Sequence, residues 1–470
     1  MSQTKTAISN GASPGLQGPA STRFSSYEPP ESRLNVIIVG AGIAGVALAG
    51  LLGHSGHNVT VLETAPAIAE VGAGLACAPN VSRLINHWGL NDRILKNATA
   101  LKATNIVRWE NGELLCSAPL MPAVQQRYGA PQYVIHRADL FGSLLEWAQA
   151  VAELRVNSTV VSVDFDIPSI TLSDGTVLEA DVIVGADGMK SVCRRMMAQQ
   201  LGLVNQTVPT GDAAFRALLP VERIKDPDLR AFVTTEESTR WIGKGGHIQA
   251  YPIRNGTLYN MVMVHPDTGF TEESWTARAS KAKILEHYGD WDVHRLGKLI
   301  DQIPDDNIME WRLCQHEPLP MWRHGKVVLM GDACHPMLPY VGQGAAQSLE
   351  DAAVLHLAFN RIRTSTPGHL ELLLKTYEVA RRSRAEKVVS ISGINRSVLH
   401  LPDGPEQQIR DGRFRAVATG GDNPDLFANL ETQSFLLNHD PEKDFRDNFD
   451  VFVQEAAEKQ RDIPAGVSSL

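Results

Sequence analysis

Between Asn35 and Glu63 the chain spells out a strand, a glycine turn, a helix and a second strand, and this stretch constrains everything around it. The apolar run Asn35-Val36-Ile37-Ile38-Val39 reads as a buried strand. Gly40-Ala41-Gly42-Ile43-Ala44-Gly45 follows, then an Ala/Leu-rich run to about Gly53, then Val59-Thr60-Val61-Leu62 ending in the acid Glu63. A G-x-G-x-x-G turn set between a strand and a helix is a dinucleotide-binding pattern. Gly40 permits the tight turn, Gly42 lets backbone approach a pyrophosphate, and Gly45 lets the helix pack close to the sheet. The helix N-terminus offers N–H groups to phosphate oxygens, and Glu63 is placed to accept hydrogen bonds from ribose hydroxyls. No Arg or Lys closely follows Glu63, so a 2′-phosphate is not expected on this nucleotide. The motif by itself leaves both NAD and the ADP half of FAD open.

With 470 residues the chain has room for two or three core units, and its 43% apolar and 21% charged composition is that of a globular protein. A net charge of −9 argues against a nucleic-acid footprint. No apolar run reaches the roughly 18 residues of a transmembrane span. The five cysteines, Cys77, Cys116, Cys193, Cys314 and Cys334, have no metal-ligand spacing, so no metal site is expected. Scattered thiols in odd number fit a reducing compartment, and a cytoplasmic location is expected. Residues 1 to about 32, rich in Ser, Pro, Gly and Thr, read as a disordered arm. They lack the apolar core of a secretory signal, while their Ser-rich, acid-poor composition leaves a transit peptide open.

Small residues dominate Glu70 to Asn80, where backbone could lie against a flat ligand or simply pack under the sheet. A helix is expected from about Val81 to Trp88. Asn111-Gly112 between two apolar runs signals a hairpin, and the pattern turns antiparallel there. A helix opens at His136-Arg137-Ala138-Asp139. A cation at a helix start is disfavoured by the macrodipole, so Arg137 either meets an anion such as a phosphate or pairs with Asp139. A hairpin at Ser173-Asp174-Gly175 precedes the buried strand Asp181 to Gly185, which runs into Ala186-Asp187-Gly188. Antiparallel character returns from Ala213 to Val264, with apolar runs at Ala213 to Leu219, Arg230 to Thr235 and Gly246 to Ile253; residues 271–300 read as helical. A last buried strand, Lys326 to Met330, ends in Gly331-Asp332-Ala333-Cys334-His335-Pro336. Gly342-Gln343-Gly344 then leads into a helix from about Ala345 through Phe359, and helices continue to about Ser397.

Only one glycine fingerprint follows a strand, and the dinucleotide unit is interrupted twice by antiparallel segments, which favours FAD over NAD. The Gly40 to Gly45 turn with Glu63, Ala186-Asp187-Gly188, and Gly331 to Pro336 with Gly342-Gln343-Gly344 occur in an order and spacing that resembles the single-component FAD-dependent aromatic hydroxylases, the salicylate-hydroxylase-like group in particular. His400-Leu401-Pro402-Asp403-Gly404-Pro405 resembles fungal members of that group. The resemblance spans about residues 34–415. It implies an α/β fold: a Rossmann-like FAD-binding domain interrupted by an antiparallel-sheet substrate domain, as in p-hydroxybenzoate hydroxylase, with a helical C-terminal part. The expected divisions are 33–103, 134–205 and 318–365 for FAD, 104–133 and 206–317 for substrate, and 366–470 for C-terminal helices and tail.

The resemblance further implies FAD as cofactor and NADH or NADPH as cosubstrate. The expected reaction is hydroxylation by O2 of a phenolic or salicylate-like small molecule, in secondary metabolism or aromatic catabolism. Expected cofactor contacts are Gly40, Gly42, Gly45 and Glu63 at the adenosine end, Gly74 and Ala76 along the cofactor, Arg137, Asp187 (shared with the nicotinamide), Asp332 at the ribityl chain, and Gly344 and Ala345 beside the ring. An epoxidase, another oxidase, or a non-catalytic binder built on the same fold would share the nucleotide motifs. Arg216, a charge in an otherwise apolar strand, needs a partner: a substrate or oxygen-derived anion at the active site, or a structural ion pair. His247 and Tyr251 share one strand face, and either could orient or deprotonate a hydroxyl or simply form the wall. His335 reads as packing beside Asp332. A monomer or homodimer is expected.

Overall fold

The computed structural model describes residue 27, then residues 29 to 68, 72 to 269, 277 to 363, 366, and 368 to 458. The strands expected around the first glycine turn lie side by side. Asn35–Val39 pairs in parallel with Asn58–Leu62 on one side and with Val182–Gly185 on the other. Val327–Leu329 extends the sheet beyond Val182–Gly185, and Glu153–Arg155 extends it beyond Asn58–Leu62. The two-residue strand Arg323–His324 adds an antiparallel edge. Segments far apart in sequence thus form one parallel sheet whose carboxyl ends lead into Gly40, Ala186 and Met330.

The helix Ile43–Ser55 is apolar on nearly every face and is buried accordingly, against the sheet and against the helices Arg137–Gln149 and Gly344–Phe359. Two glycines set its approach. Gly40 has φ +101°, and a side chain there would press on the backbone oxygen of Ala186; a Cβ on Gly45 would come within 2.0 Å of the Gly40 carbonyl oxygen.

A second sheet of seven strands runs in the order Ile308–His316, Thr207–Pro220, Leu258–Pro266, Gly246–Ile253, Glu237–Gly243, Ala103–Arg108, Leu114–Pro119. Its pairs are antiparallel except for Glu237–Gly243 with Ala103–Arg108. One expected strand is absent. Arg230 to Thr235 belongs to the helix Pro227–Thr234, because Asp226 accepts hydrogen bonds from the N–H groups of Asp228 and Leu229 and Pro227 occupies the first turn. That N-cap outweighs the apolar composition, and the strand begins later, at Glu237. The small-residue stretch is likewise more regular than a loop: Gly74–Cys77 forms an antiparallel ribbon with Tyr133–His136. Within 271–300, residues 271 to 276 lie outside the described residues; helices occupy Lys281–Tyr288 and Lys298–Gln302, joined by a π-turn at Val293–Gly297.

The helix Gly344–Phe359 is almost wholly buried and carries Glu350 and Asp351 into the interior. Both acids are answered from the 31-residue helix His369–Leu399. Arg381 bonds Asp351 and Glu350 at 2.8 and 2.7 Å, and Arg384 bonds Glu350 at 2.7 and 2.9 Å. Short helices follow at Pro405–Ala416, Leu430–Leu437, Pro441–Asp447 and Phe449–Glu458. The result is the mixed α/β architecture with a helical C-terminal part that the resemblance implied. Most of the expected disordered arm lies outside the described residues, but Tyr27 is docked: its hydroxyl donates to Glu442 at 2.5 Å and its ring meets His356 edge-on.

Candidate active site

A cavity of about 350 Å3 lies between the two sheets. From the parallel-sheet side it is lined by Gly42, Ile43, Ala186, Gly188 and Asp332, from the ribbon by Gly74, Ala76 and Val134, and from the buried helix by Gly344 and Ala345. The seven-stranded sheet contributes Arg216, Arg240, His247, Gln249, Tyr251 and Val262. Apolar walls come from Leu101, Leu120, Met337 and Leu338, and Phe427 of the C-terminal part closes one side. Another hollow, of about 390 Å3 around His265 and His287, touches none of the motif residues.

Ten of the fourteen expected site residues therefore meet in one place: Gly42, Gly74, Ala76, Arg137, Arg216, His247, Tyr251, Asp332, Gly344 and Ala345. Gly40 and Gly45 stand behind Gly42 and shape the turn. Glu63 sits at the tip of its strand, where one carboxylate oxygen accepts from the Ala41 N–H at 3.0 Å and the other from the Ala65 N–H at 2.9 Å. Asp187 is turned to a different task from the one expected. One of its oxygens accepts from the Ser191 hydroxyl at 2.5 Å and the other from the N–H groups of Val192 and Cys193 at 2.7 and 3.1 Å, so it organises the start of the helix Val192–Gln200 while its neighbours Ala186 and Gly188 line the cavity. Burial pushes its carboxyl up, against those bonds.

The electrostatics of the cavity are asymmetric. The helices Ile43–Ser55 and Gly344–Phe359 both begin at its wall, neither with a side-chain cap nor an acid in the first turn, so their N–H groups and positive dipole ends are available there. Space is also available: a Cβ on Gly42 would meet nothing within 4 Å. Arg137 lines the same wall. Asp139, its possible partner by sequence, is held in a two-pronged pair by Arg254 at 2.7 and 2.8 Å. Asp332 is exposed, and the surface it presents is the cavity's. Its low-dielectric surroundings raise its carboxyl, opposed by His335 and Arg137. These features fit FAD: open glycine backbone and two bare helix starts for anionic groups, and an acceptor, Asp332, for hydroxyls.

The other side is built for a smaller guest. Arg216 lies over the ring of Trp311, 4.5 Å from its centroid. Tyr251 packs on Gly74, where a Cβ would fall 2.6 Å from its ring, and burial pushes its hydroxyl up. The Gly74 N–H donates to Asn260 at 2.8 Å. His247 is buried, and burial, then His400 and Arg240, push its imidazole well down. Arg240 was not anticipated. It donates to Gln249 at 2.5 Å and to the buried Asp425 at 2.6 Å, so its charge is met within the protein. An arginine in a strand is the same signal that marked Arg216, but the strand carrying it had been expected earlier in the chain. Phe427 and Trp311 carry no local signal. His335 pairs with Asp351 at 2.5 Å beneath the site, as packing implied. Cys334, His335 and Asp351 cluster closely enough to hold a metal ion, but Asp351 is already engaged by Arg381 and by the Gly331 N–H.

Comparison with known proteins follows the same lines. The family described as FAD binding domain matches residues 33–392. An FAD-dependent monooxygenase of Arthrinium sp is 36% identical over 396 residues, covering 84% of this chain and 91% of that protein. A 3-amino-4-hydroxybenzoate 2-monooxygenase of Streptomyces platensis is 32% identical over 381 residues, covering 81% and 92%. Among solved structures, a salicylate hydroxylase substrate complex superposes with a TM-score of 0.69 at 24% identity, covering 88% of this chain and 98% of that one, a likeness of fold. Among the described residues no helix is long and apolar enough to cross a membrane.

Proposed function

Because this chain belongs to the FAD binding domain family of FAD-dependent monooxygenases, we propose that it uses NAD(P)H and O2 to hydroxylate an electron-rich aromatic small molecule in the cavity between its two sheets. FAD, when bound, supplies hydride acceptance from the nicotinamide and activation of O2. The glycine turn with Glu63 would hold the adenosine end, Arg137 the phosphates or ribityl chain, and Asp332 the ribityl hydroxyls. The start of the helix at Gly344 would stabilise negative charge on the reduced ring. The observation that carries this reading is the convergence of two bare helix N-termini and Arg137 on one side of a cavity whose other side joins apolar walls to the polar groups Arg216, His247 and Tyr251 among others.

On the substrate side, Arg216 lies over the Trp311 ring and lines the cavity, where its guanidinium fork is suited to a phenolate or carboxylate. Leu101, Leu120, Met337 and Phe427 exclude water from the reacting ring. The substrate named for the Streptomyces relative, an aminohydroxybenzoate, supports a ring that carries both a hydroxyl and an acidic group. Five buried free thiols support a cytoplasmic location. The test is direct. The purified protein should release FAD, not FMN, on denaturation, and phenols or salicylates should stimulate NAD(P)H oxidation with formation of a hydroxylated product. Release of FMN, or oxidation that yields only peroxide with every aromatic tried, would overturn the assignment.

A further inference from the structure

The segment His400 to Pro405 has no place in the cofactor site, yet His400 reaches the cavity wall from behind. His247 Nδ1 and His400 Nε2 lie 2.8 Å apart, both side chains buried. The His400 carbonyl accepts from the Gly245 N–H at 3.2 Å, which ties the segment to the turn preceding the His247 strand. Beyond His400, its Nδ1 lies 3.7 Å from Oδ2 of Asp212 and is buried with no hydrogen-bond partner. Asp212 is itself fixed by Arg396, at 2.6 and 2.5 Å, and by the Tyr340 hydroxyl.

We propose that Asp212, His400 and His247 form a proton relay that leads from a substrate hydroxyl in the cavity to the protein surface at Arg396. The proposal rests on the aromatic-hydroxylation reading above and adds the route by which the phenol loses its proton. The tautomers follow from the geometry. A carboxylate only accepts, so Asp212 favours the His400 proton on Nδ1. His400 Nε2 is then the acceptor, and His247 must donate from Nδ1. That leaves Nε2 of His247 as a bare lone pair for the cavity that His247 lines. In the forward step the substrate O–H breaks and its proton goes to His247 Nε2. The His247 Nδ1 proton passes to His400 Nε2, and the His400 Nδ1 proton passes towards Asp212 across a gap that one water molecule or a small ring rotation closes. The displaced proton ends on Asp212, from which solvent water at the part-exposed Arg396 takes it; Arg396 itself stays protonated, and the substrate keeps the electron pair as a phenolate.

The charged groups around the relay keep both rings neutral at rest. Burial, then His400 and Arg240, push His247 down. Burial pushes His400 down to about 4, with Asp212 opposing and Arg396 and Arg410 adding to the shift. The Tyr340 ring stands beside both imidazoles, at 5.6 and 5.4 Å between centroids. Arg396 is about one-third exposed and marks the exit to solvent.

Two measurements test the relay. In the FAD-loaded wild-type enzyme with nitrogen-labelled histidine, long-range proton–nitrogen NMR correlations should show His247 protonated on Nδ1 and bare on Nε2, with the signal assigned by its loss in His247→Gln. A proton on Nε2 overturns the relay whatever the substrate proves to be, whereas failure of every aromatic to be hydroxylated overturns the functional reading instead. The second test is the pH profile of His400→Gln. Its flavin content and melting temperature should stay near wild type, while turnover near neutral pH falls about 10- to 100-fold, at the low end of general acid–base effects. The loss should disappear as rising pH ionises the phenol without help. A loss that is constant across pH, or a profile like that of wild type, overturns the proposal.

Discussion

The guanidinium carbon of Arg216 lies over the ring of Trp311, 4.5 Å from its centroid, and both residues line the cavity. The partner that the apolar strand demanded is therefore at least in part a π-system. Arg216→Ala is expected to keep FAD and folding but to lose about 30- to 1000-fold in hydroxylation, the equivalent of about 2–4 kcal/mol of transition-state stabilisation. Arg216→Lys should recover part of it, since a lysine keeps the charge and loses the fork. Flavin content, melting temperature and product yield measured on the same preparations decide this. A variant that unfolds makes Arg216 structural, and one that turns over like wild type moves the role to Tyr251 or His247.

Gly42 and Gly45 should respond oppositely to the same added methyl group. Gly42 sits at φ −75° with open space where a Cβ would go, so Gly42→Ala should leave the apoprotein's stability within about 0.5 kcal/mol while weakening FAD about tenfold or more. Gly45→Ala drives a Cβ towards the Gly40 carbonyl oxygen, a backbone atom that cannot swing away, and should cost about 1–3 kcal/mol or more of folding stability before any cofactor is added. Thermal melts of apoprotein and FAD titrations separate the two effects. Equal losses of stability in both variants would contradict the geometry.

Asp332→Asn should be tolerated by the fold, because the carboxylate faces the cavity and lies outside the buried ion network of Glu350, Asp351 and Arg381. Its cost belongs to cofactor binding. Loss of a charge-assisted bond of about 1.5–3 kcal/mol corresponds to roughly a 10- to 150-fold weaker FAD complex. Equilibrium dialysis against FAD provides the measurement, and an unchanged affinity would remove Asp332 from the site.

Glu442 gives the fold an acid-sensitive clamp. Burial pushes its carboxyl up, but bonds from His87 and Tyr27, the charge of Arg446 and a bond from Trp88 overcome this and hold it at about 2, against 4.5 for a free glutamate. A pKa depressed by folding stabilises above the unfolded value and is lost as pH falls through the folded one. Between about pH 4.5 and pH 2 the protein should therefore lose on the order of 3 kcal/mol from this group, a dependence that Glu442→Gln removes. Tyr27→Phe deletes one of its donors and should cost about 1.5–3 kcal/mol at neutral pH. A melting curve insensitive to Tyr27→Phe would mean that residue 27 docks without consequence.

What the sequence made legible was local in origin. The strand–turn–helix at Asn35 to Ser55, the helix from Gly344, and the His247–Tyr251 face are each set by neighbouring residues and a period, and each stands where the pattern puts it. The helix at Pro227–Thr234 was read as a strand because apolar composition was weighed above the Asp226-Pro227 cap. Asp187 carries a recognised motif, but its oxygens are claimed by Ser191, Val192 and Cys193, a bonding pattern that spacing alone does not reveal. The contacts of Arg240 with Asp425 and of His247 with His400 join residues more than 150 positions apart, and Phe427 reaches the cavity from the C-terminal part. No local pattern encodes such pairings, so the tail read as polar and featureless.

Phe427 completes a chamber whose other walls all lie earlier in the chain, between Gly42 and Ser348. In a polypeptide that leaves the ribosome from its N-terminus, the glycine turn and Asp332 emerge before this last wall is made. The residues on the cofactor side are thus synthesised before the one that closes the chamber.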